Sequence, residues 1–247
     1  MTAVLLSANN YYYGRGGFGG FYFDWTYLLA IFGLALTLIA SARVKGTYAQ
    51  YNKVRSMSGL SGAEAARRIL DSQGLGNIAI EHVEGDLTDH YDPRTKTLRL
   101  SSSTYGSESI AAVCVAAHEC GHAVQDKVSY RPLVLRSSLV PAAQIGSNLS
   151  WPIFIAGLIF SLRPLMGIGI ILFSLAVLFQ LITLPVEFDA SSRALKILGT
   201  ERVLTEEELR GGRKVLNAAA MTYVAALAAS ALQLLRLIIL GRGRNRD

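Results

Sequence analysis

The chain has 247 residues, 51% of them hydrophobic and only 17% charged, with a mean hydropathy of +0.33 and a formal net charge of +6. Its apolar residues fall in long charge-free blocks, which argues against an ordinary soluble domain and for a membrane-integrated chain with a polar remainder of about 100 residues. The basic balance does not point to nucleic acid, because no aromatic-basic recognition pattern accompanies it.

Residues 1–24 form a Gly- and Tyr-rich arm that includes Tyr11-Tyr12-Tyr13-Gly14-Arg15-Gly16-Gly17-Phe18-Gly19-Gly20. It has no hydrophobic periodicity and reads as a flexible arm at the membrane interface, without chemistry. The first span is placed at 25–42, where Trp25–Ala42 carries no charge and is flanked by Asp24 and Arg43. It begins late and lacks a basic n-region, so it does not read as a cleaved signal.

Residues 43–138 are the only sizeable polar segment. Ser58–Asp71 reads as an amphipathic helix, with Ser61 able to cap it and Glu64 placed three residues on. Gly74–Asn77 is a turn, and Ile78–Glu84 alternates like a strand. Thr88–Ser101 reads as a hairpin turning at Asp92-Pro93-Arg94-Thr95. Tyr105-Gly106-Ser107 is then expected to open an Ala- and Val-rich helix.

That helix carries His118-Glu119-Cys120-Gly121-His122, the pattern H-E-x-x-H. One helical turn separates the histidines, so both lie on one face and can bind one zinc ion. Glu119 beside them can take a proton from the attacking water. The bland alternative is a chance pattern, which would bury two imidazoles and a carboxylate in an apolar helix at high cost. Cys120 points away from the face of the two histidines. Cys114 and Cys120 sit on different sides of one helix, so no disulfide is expected.

Two spans occupy 139–186. Leu139–Leu162 and Leu165–Val186 are free of charge and are separated at Arg163-Pro164. Residues 187–214 return to polar character, and 215–247 hold the last span, Val215–Leu235, and a basic tail. Two spans bring the chain back to the side it left, so His118, His122 and Glu187 are expected on one side of the membrane. Of the 24 Lys and Arg residues, 18 fall in 43–138 and 187–214. The positive-inside rule then puts the site in the cytoplasm.

Zinc hydrolases usually have three protein ligands and one open position. Glu187 directly follows an apolar span, an expensive place for a carboxylate without a partner, and it is the best third ligand. The plain alternative is an interfacial helix cap. Asp189 is the reserve, or a partner to a ligand histidine.

These segments together resemble a known family. Ala-Ala-His118-Glu119-Cys-Gly-His122-Ala-Val-Gln, Pro-Val-Glu187-Phe-Asp189-Ala-Ser-x-Arg-Ala and Gly85-Asp-Leu-Thr-Asp-His-Tyr-Asp-Pro-Arg are similar to the membrane-embedded neutral zinc metallopeptidases of the bacterial YugP type. The likeness runs from Thr26 to about Leu240. A looser one extends to the HtpX and CAAX-prenyl endopeptidase gluzincins, in which an Asp four positions after the Glu ligand supports a histidine. Here that position is Ser191. Site-2 proteases also use H-E-x-x-H, but inside a spanning helix and with an Asp-Gly pair that this chain lacks.

The resemblance implies a zinc endopeptidase acting on peptides or proteins in a bacterial cell membrane. The expected fold is mostly α, with about four spans and a small α+β zincin-like polar domain carrying the motif helix. One zinc per chain is expected on His118, His122 and Glu187, with Glu119 as general base. An oxyanion stabiliser is expected among His90, Tyr91, Arg193 and Tyr223. His90 is the tentative catalytic choice, because its hairpin could serve substrate as an edge strand. His82 reads as structural. A non-enzymatic membrane scaffold with a structural metal, and a zinc hydrolase of a non-peptide amide, are the competing readings. Oligomeric state is not legible.

Overall fold

A computed structural model of the protein describes residues 24–243, so most of the Gly/Tyr arm and the last four residues of the basic tail lie outside the described residues. Ten elements follow one another along the described chain: α1 (Tyr27–Tyr51), α2 (Gly62–Ser72), β1 (Ala79–Val83), β2 (His90–Asp92), β3 (Thr97–Ser101), α3 (Ser102–Tyr105), α4 (Ile110–Lys127), α5 (Arg131–Ile159), α6 (Arg163–Thr200) and α7 (Glu206–Gly243).

Four of these helices, α1, α5, α6 and α7, are long and apolar enough to cross a membrane. Their outward faces stay unburied within the fold. Ile39 is 66% exposed, Ile159 69% and Ile171 65%. Continuous apolar faces of this kind need an apolar solvent, which a bilayer supplies. α5 and α6 form an antiparallel pair, with Pro in the first turn of each. Their closeness depends on Gly157, where a Cβ would lie 2.6 Å from the backbone nitrogen of Met166. α1 and α7 also run antiparallel. Arg236, a charge within the apolar stretch of α7, does not interrupt the helix. Its guanidinium lies over the Tyr27 ring at 4.1 Å and donates to Thr26 Oγ1 at 3.3 Å.

At 38 residues each, α6 and α7 are about 57 Å long, well beyond the ~30 Å apolar core of a bilayer. Both therefore project past the membrane at one end, and their extensions help to build the polar domain. Glu187 lies on a helix that is continuous with the preceding span, with no break between them.

Within the polar domain, Ser61 and Glu64 make a reciprocal capping box at the start of α2. The sheet has strand order β1-β3-β2. β1 is parallel to β3, and β2 is antiparallel to β3 with His90 opposite Arg99. Leu98 and Leu100 of β3 are fully buried against Ile69 and Leu70 of α2 and Val113 and Ala117 of α4. Ala194 and Leu198 of α6 and Leu216 of α7 complete this core. The motif helix starts later than the sequence suggests. Tyr105 ends the short α3, and Ser109 caps α4 by accepting from the Ala112 amide at 3.1 Å.

Candidate metal and active site

α4 is almost all Ala and Val where it meets the rest of the fold, so its polar side chains stand out. His118 and His122 are one turn apart, with side chains 16% and 12% exposed. α6 crosses α4 at Gly121, where a Cβ would lie 2.5 Å from the carbonyl oxygen of Ala190. Only glycine permits this approach, and the approach sets Glu187 opposite the two rings.

Glu187 Oε2 is 3.3 Å from His118 Nε2 and 3.7 Å from His122 Nε2, and the residue is 2% exposed. The far side of each ring is engaged. His122 Nδ1 meets Gln125 Oε1 at 3.0 Å, and His118 Nδ1 meets Ser191 Oγ at 3.1 Å. Gln125 is itself fixed, since its Nε2 donates to the Val186 carbonyl and to Asp189 Oδ2, each at 2.8 Å. This network orients the Gln125 oxygen toward His122, so His122 carries a proton on Nδ1 and, as the neutral ring, offers its Nε2 lone pair toward Glu187.

Neutral imidazole nitrogens that face a buried carboxylate oxygen with their lone pairs are acceptors opposed to an acceptor, an arrangement that either a proton or a metal cation between them relieves. Two ligands of a tetrahedral ion, each about 2.0–2.2 Å from it, stand roughly 3.3–3.5 Å apart. The 3.3 Å from Glu187 to His118 falls in that range and the 3.7 Å to His122 slightly beyond it. The donor set of two imidazoles and one carboxylate also suits zinc, so these residues fit the metal that the motif implies.

Glu119 sits beside this group, and the donor atoms of His118, Glu119 and His122 lie within 4.8 Å of one another. Its Oε2 accepts from the Tyr91 amide of β2 at 3.0 Å. Burial pushes the Glu119 carboxyl above its ordinary value, and the neighbouring histidines oppose that rise.

A cavity of about 270 Å³ opens over the group, walled by Tyr91 and His90 on one side, Arg136 of α5 on another and Tyr223 of α7. His90 is exposed, and its Nδ1 donates to the Thr88 carbonyl at 2.9 Å, which leaves Nε2 unengaged at the cavity. The Tyr91 hydroxyl turns away to Asp126 Oδ2 at 2.7 Å, so its backbone amide is what reaches the site. Arg193 is held by Asp189 at 2.6 Å and does not line the cavity. His82 bonds Ser102 Oγ at 2.9 Å, outside the site. Cys114 and Cys120 are free and buried.

Three contributors escape a reading of the sequence by motif alone. Gln125 could be found from its spacing, as a polar residue three positions after His122 on an otherwise apolar face. Gly121 shows only once the helix crossing is known. Arg136 of α5 donates from Nη1 to Glu187 Oε1 at 3.2 Å, and nothing local in the sequence ties it to residue 187.

Comparison with known proteins places these residues in a family. A family model described as "Putative neutral zinc metallopeptidase" matches residues 26–242. The protein named "Putative membrane protease YugP" of Bacillus subtilis (strain 168) is 48% identical over 220 residues, covering 88% of this chain and 98% of that relative. No solved structure matches this chain.

Proposed function

This chain belongs to the neutral zinc metallopeptidase family, and we propose that it is a membrane-embedded zinc endopeptidase that hydrolyses peptide bonds at the cytoplasmic face. The observation that carries this reading is the convergence of Glu187 Oε2 on both histidine Nε2 atoms, with Glu119 beside them.

In this reading His118, His122 and Glu187 hold one zinc per chain. When bound, zinc supplies Lewis acidity, polarising a carbonyl and making water nucleophilic at neutral pH. Glu119 takes the proton of the attacking water and hands it to the leaving amine. The Tyr91 amide holds the Glu119 carboxylate in place for both transfers. Gln125 and Ser191 orient the two imidazoles. Tyr223 and His90 line the cavity where a tetrahedral oxyanion would form; the Tyr223 hydroxyl can donate to it, whereas His90, with its Nδ1 proton committed to Thr88, could do so from Nε2 only as an imidazolium. A peptide or protein is the substrate class. The cytoplasmic assignment rests on the 18 of 24 basic residues that fall on the site side.

The test is elemental analysis of detergent-purified protein, wild type beside Glu187→Ala. About one zinc in the wild type and its loss in the variant are expected. Full zinc in Glu187→Ala would reassign the third ligand to Asp189 or His90.

A further inference from the structure

α5 enters the membrane beside the catalytic cavity and carries polar side chains to the middle of its span. Leu133, Arg136, Ser137 and Val140 of α5 line that cavity. Deeper along the helix, which is continuous through Pro141, Gln144, Ser147 and Asn148 extend the same face, all within an arc of about 120°. The three are exposed, and no hydrogen bond to another described residue engages their side chains. Packing fixes their depth. A Cβ on Gly146 would lie 2.5 Å from the Leu172 carbonyl oxygen, near the midpoint of the charge-free stretch Leu165–Val186 of α6. At that level α6 turns exposed Ile171 and Leu175 outward.

Polar side chains at this depth are costly against hydrocarbon and mark a pathway or a partner. Here they border a gap. α5 and α7 each pack along α6, but no packed interface joins α5 to α7. The catalytic cavity lies between them, with Arg136 on the α5 side and Tyr223 on the α7 side. Gln180 of α6 stands seven residues before Glu187, on the same face and about 10 Å further into the span. Its Oε1 is buried without a hydrogen-bond partner among the described residues. The exposed apolar side chains of α5 at this level, Ile145 and Leu149, point to a different side of the helix.

Building on the peptidase reading, we infer that the substrate is a membrane-spanning polypeptide that enters sideways between α5 and α7. Its site-side end unwinds along Gln144, Ser147 and Asn148 and so delivers the scissile bond to the metal site. Asn148 lies about 18 Å of helix rise from Arg136, room for roughly five residues of extended chain. An unwound segment at this depth exposes N–H and C=O groups that lipid cannot satisfy. Two side-chain amides and a hydroxyl offer both donors and acceptors to them. Acyl chains have no use for such groups, and a water-soluble peptide reaches the cavity without passing them.

Photocrosslinking in lipid vesicles tests this, with full-length, zinc-loaded Glu119→Gln so that no probe is consumed. The probes are a synthetic single-span peptide with an unstructured site-side extension, and the extension alone. Benzoylphenylalanine in place of Ser147 should capture the spanning probe, and the same group in place of Ile145 should capture about tenfold less. The extension alone should be captured from neither. Hydrolysis gives a second readout in protein with an intact Glu119. Gln144→Leu and Asn148→Leu together should raise KM for the spanning probe by about tenfold, as for two hydrogen bonds within a membrane. Cleavage of the extension alone and zinc content should not change. Equal capture from the two positions, capture of the extension as efficient as that of the spanning probe, or an unchanged KM would each overturn the inference. So would dissociation of a dimer by the double variant, which would assign the polar face to a second copy of this chain. Capture from Ser147 without cleavage by the wild type would support the lateral path and count against the peptidase reading alone.

Discussion

Arg136 on α5 donates from Nη1 to Oε1 of Glu187 on α6 at 3.2 Å, while Oε2 of the same carboxylate faces both histidines. The two oxygens are thereby given different tasks. One is held by a guanidinium from the neighbouring helix, and the other is free to meet a cation. A charge on α5 also compensates a carboxylate that is 2% exposed and close to the apolar end of its helix.

Arg136→Ala should therefore weaken zinc binding by about tenfold, the lower end of the effect of partners that orient ligands. Arg136→Lys should recover part of the loss, since it keeps the charge but not the directed guanidinium. Competition against a chelator measures both. Unchanged affinity in Arg136→Ala would make the residue a substrate contact instead.

Gln125→Ala should cost more than Ser191→Ala. Gln125 bonds His122, Val186 and Asp189 together, so its loss both frees the His122 ring and removes a tie between α4 and α6. Ser191 contributes one contact to His118. Both variants should weaken zinc by about 10–100-fold, and Gln125→Ala should also lower the melting temperature. The reverse order in a chelator titration would contradict the network.

Gly121→Ala places a methyl group against the Ala190 carbonyl, 2.5 Å away. Overpacking of this kind costs about 1–3 kcal/mol, and here it pushes α4 from α6 and widens the gap between Glu187 and the rings. Thermal unfolding should fall even without zinc, and zinc should bind less tightly. Gly106→Ala is the control, because nothing lies within 4 Å of its Cβ position. Equal behaviour of the two variants would remove the helix crossing from the account.

Much of this was legible beforehand because it depends on local or topological rules. The Ser61–Glu64 capping box, the turn after Asp92 and the charge-free spans are set by neighbours in sequence. Parity across two spans was enough to expect His118 and Glu187 at one end. Two expectations about helix limits needed three dimensions. α4 starts only at Ile110 because Ser109, not the Tyr105-Gly106-Ser107 turn, supplies its cap. α7 continues through Arg236 because Tyr27 and Thr26, on a helix distant in sequence, receive its charge. Arg136 and Gly121 were hidden for the same reason, since each acts on a helix whose approach no local pattern encodes. Ser191, in a position where related peptidases carry an Asp, meets His118 directly, while Asp189 acts on His122 through Gln125.

Topology can be read with single cysteines at exposed Arg94 and Glu207, in a background lacking Cys114 and Cys120. Both should resist a membrane-impermeant thiol reagent in intact cells, while one at exposed Leu162 should react. Opposite labelling of Arg94 and Glu207 would break the site apart. Reaction of both from outside would reverse the orientation only.

Glu119 is the residue on which the peptidase reading turns, and the most direct measurement is the rate of protein-substrate hydrolysis by Glu119→Gln, with zinc determined in the same sample. The variant keeps the size of the side chain and leaves His118, His122 and Glu187 intact, so zinc should remain at the wild-type level. Hydrolysis should fall by about 10²–10⁴, as for removal of a general base. Full hydrolysis at full zinc would contradict the account.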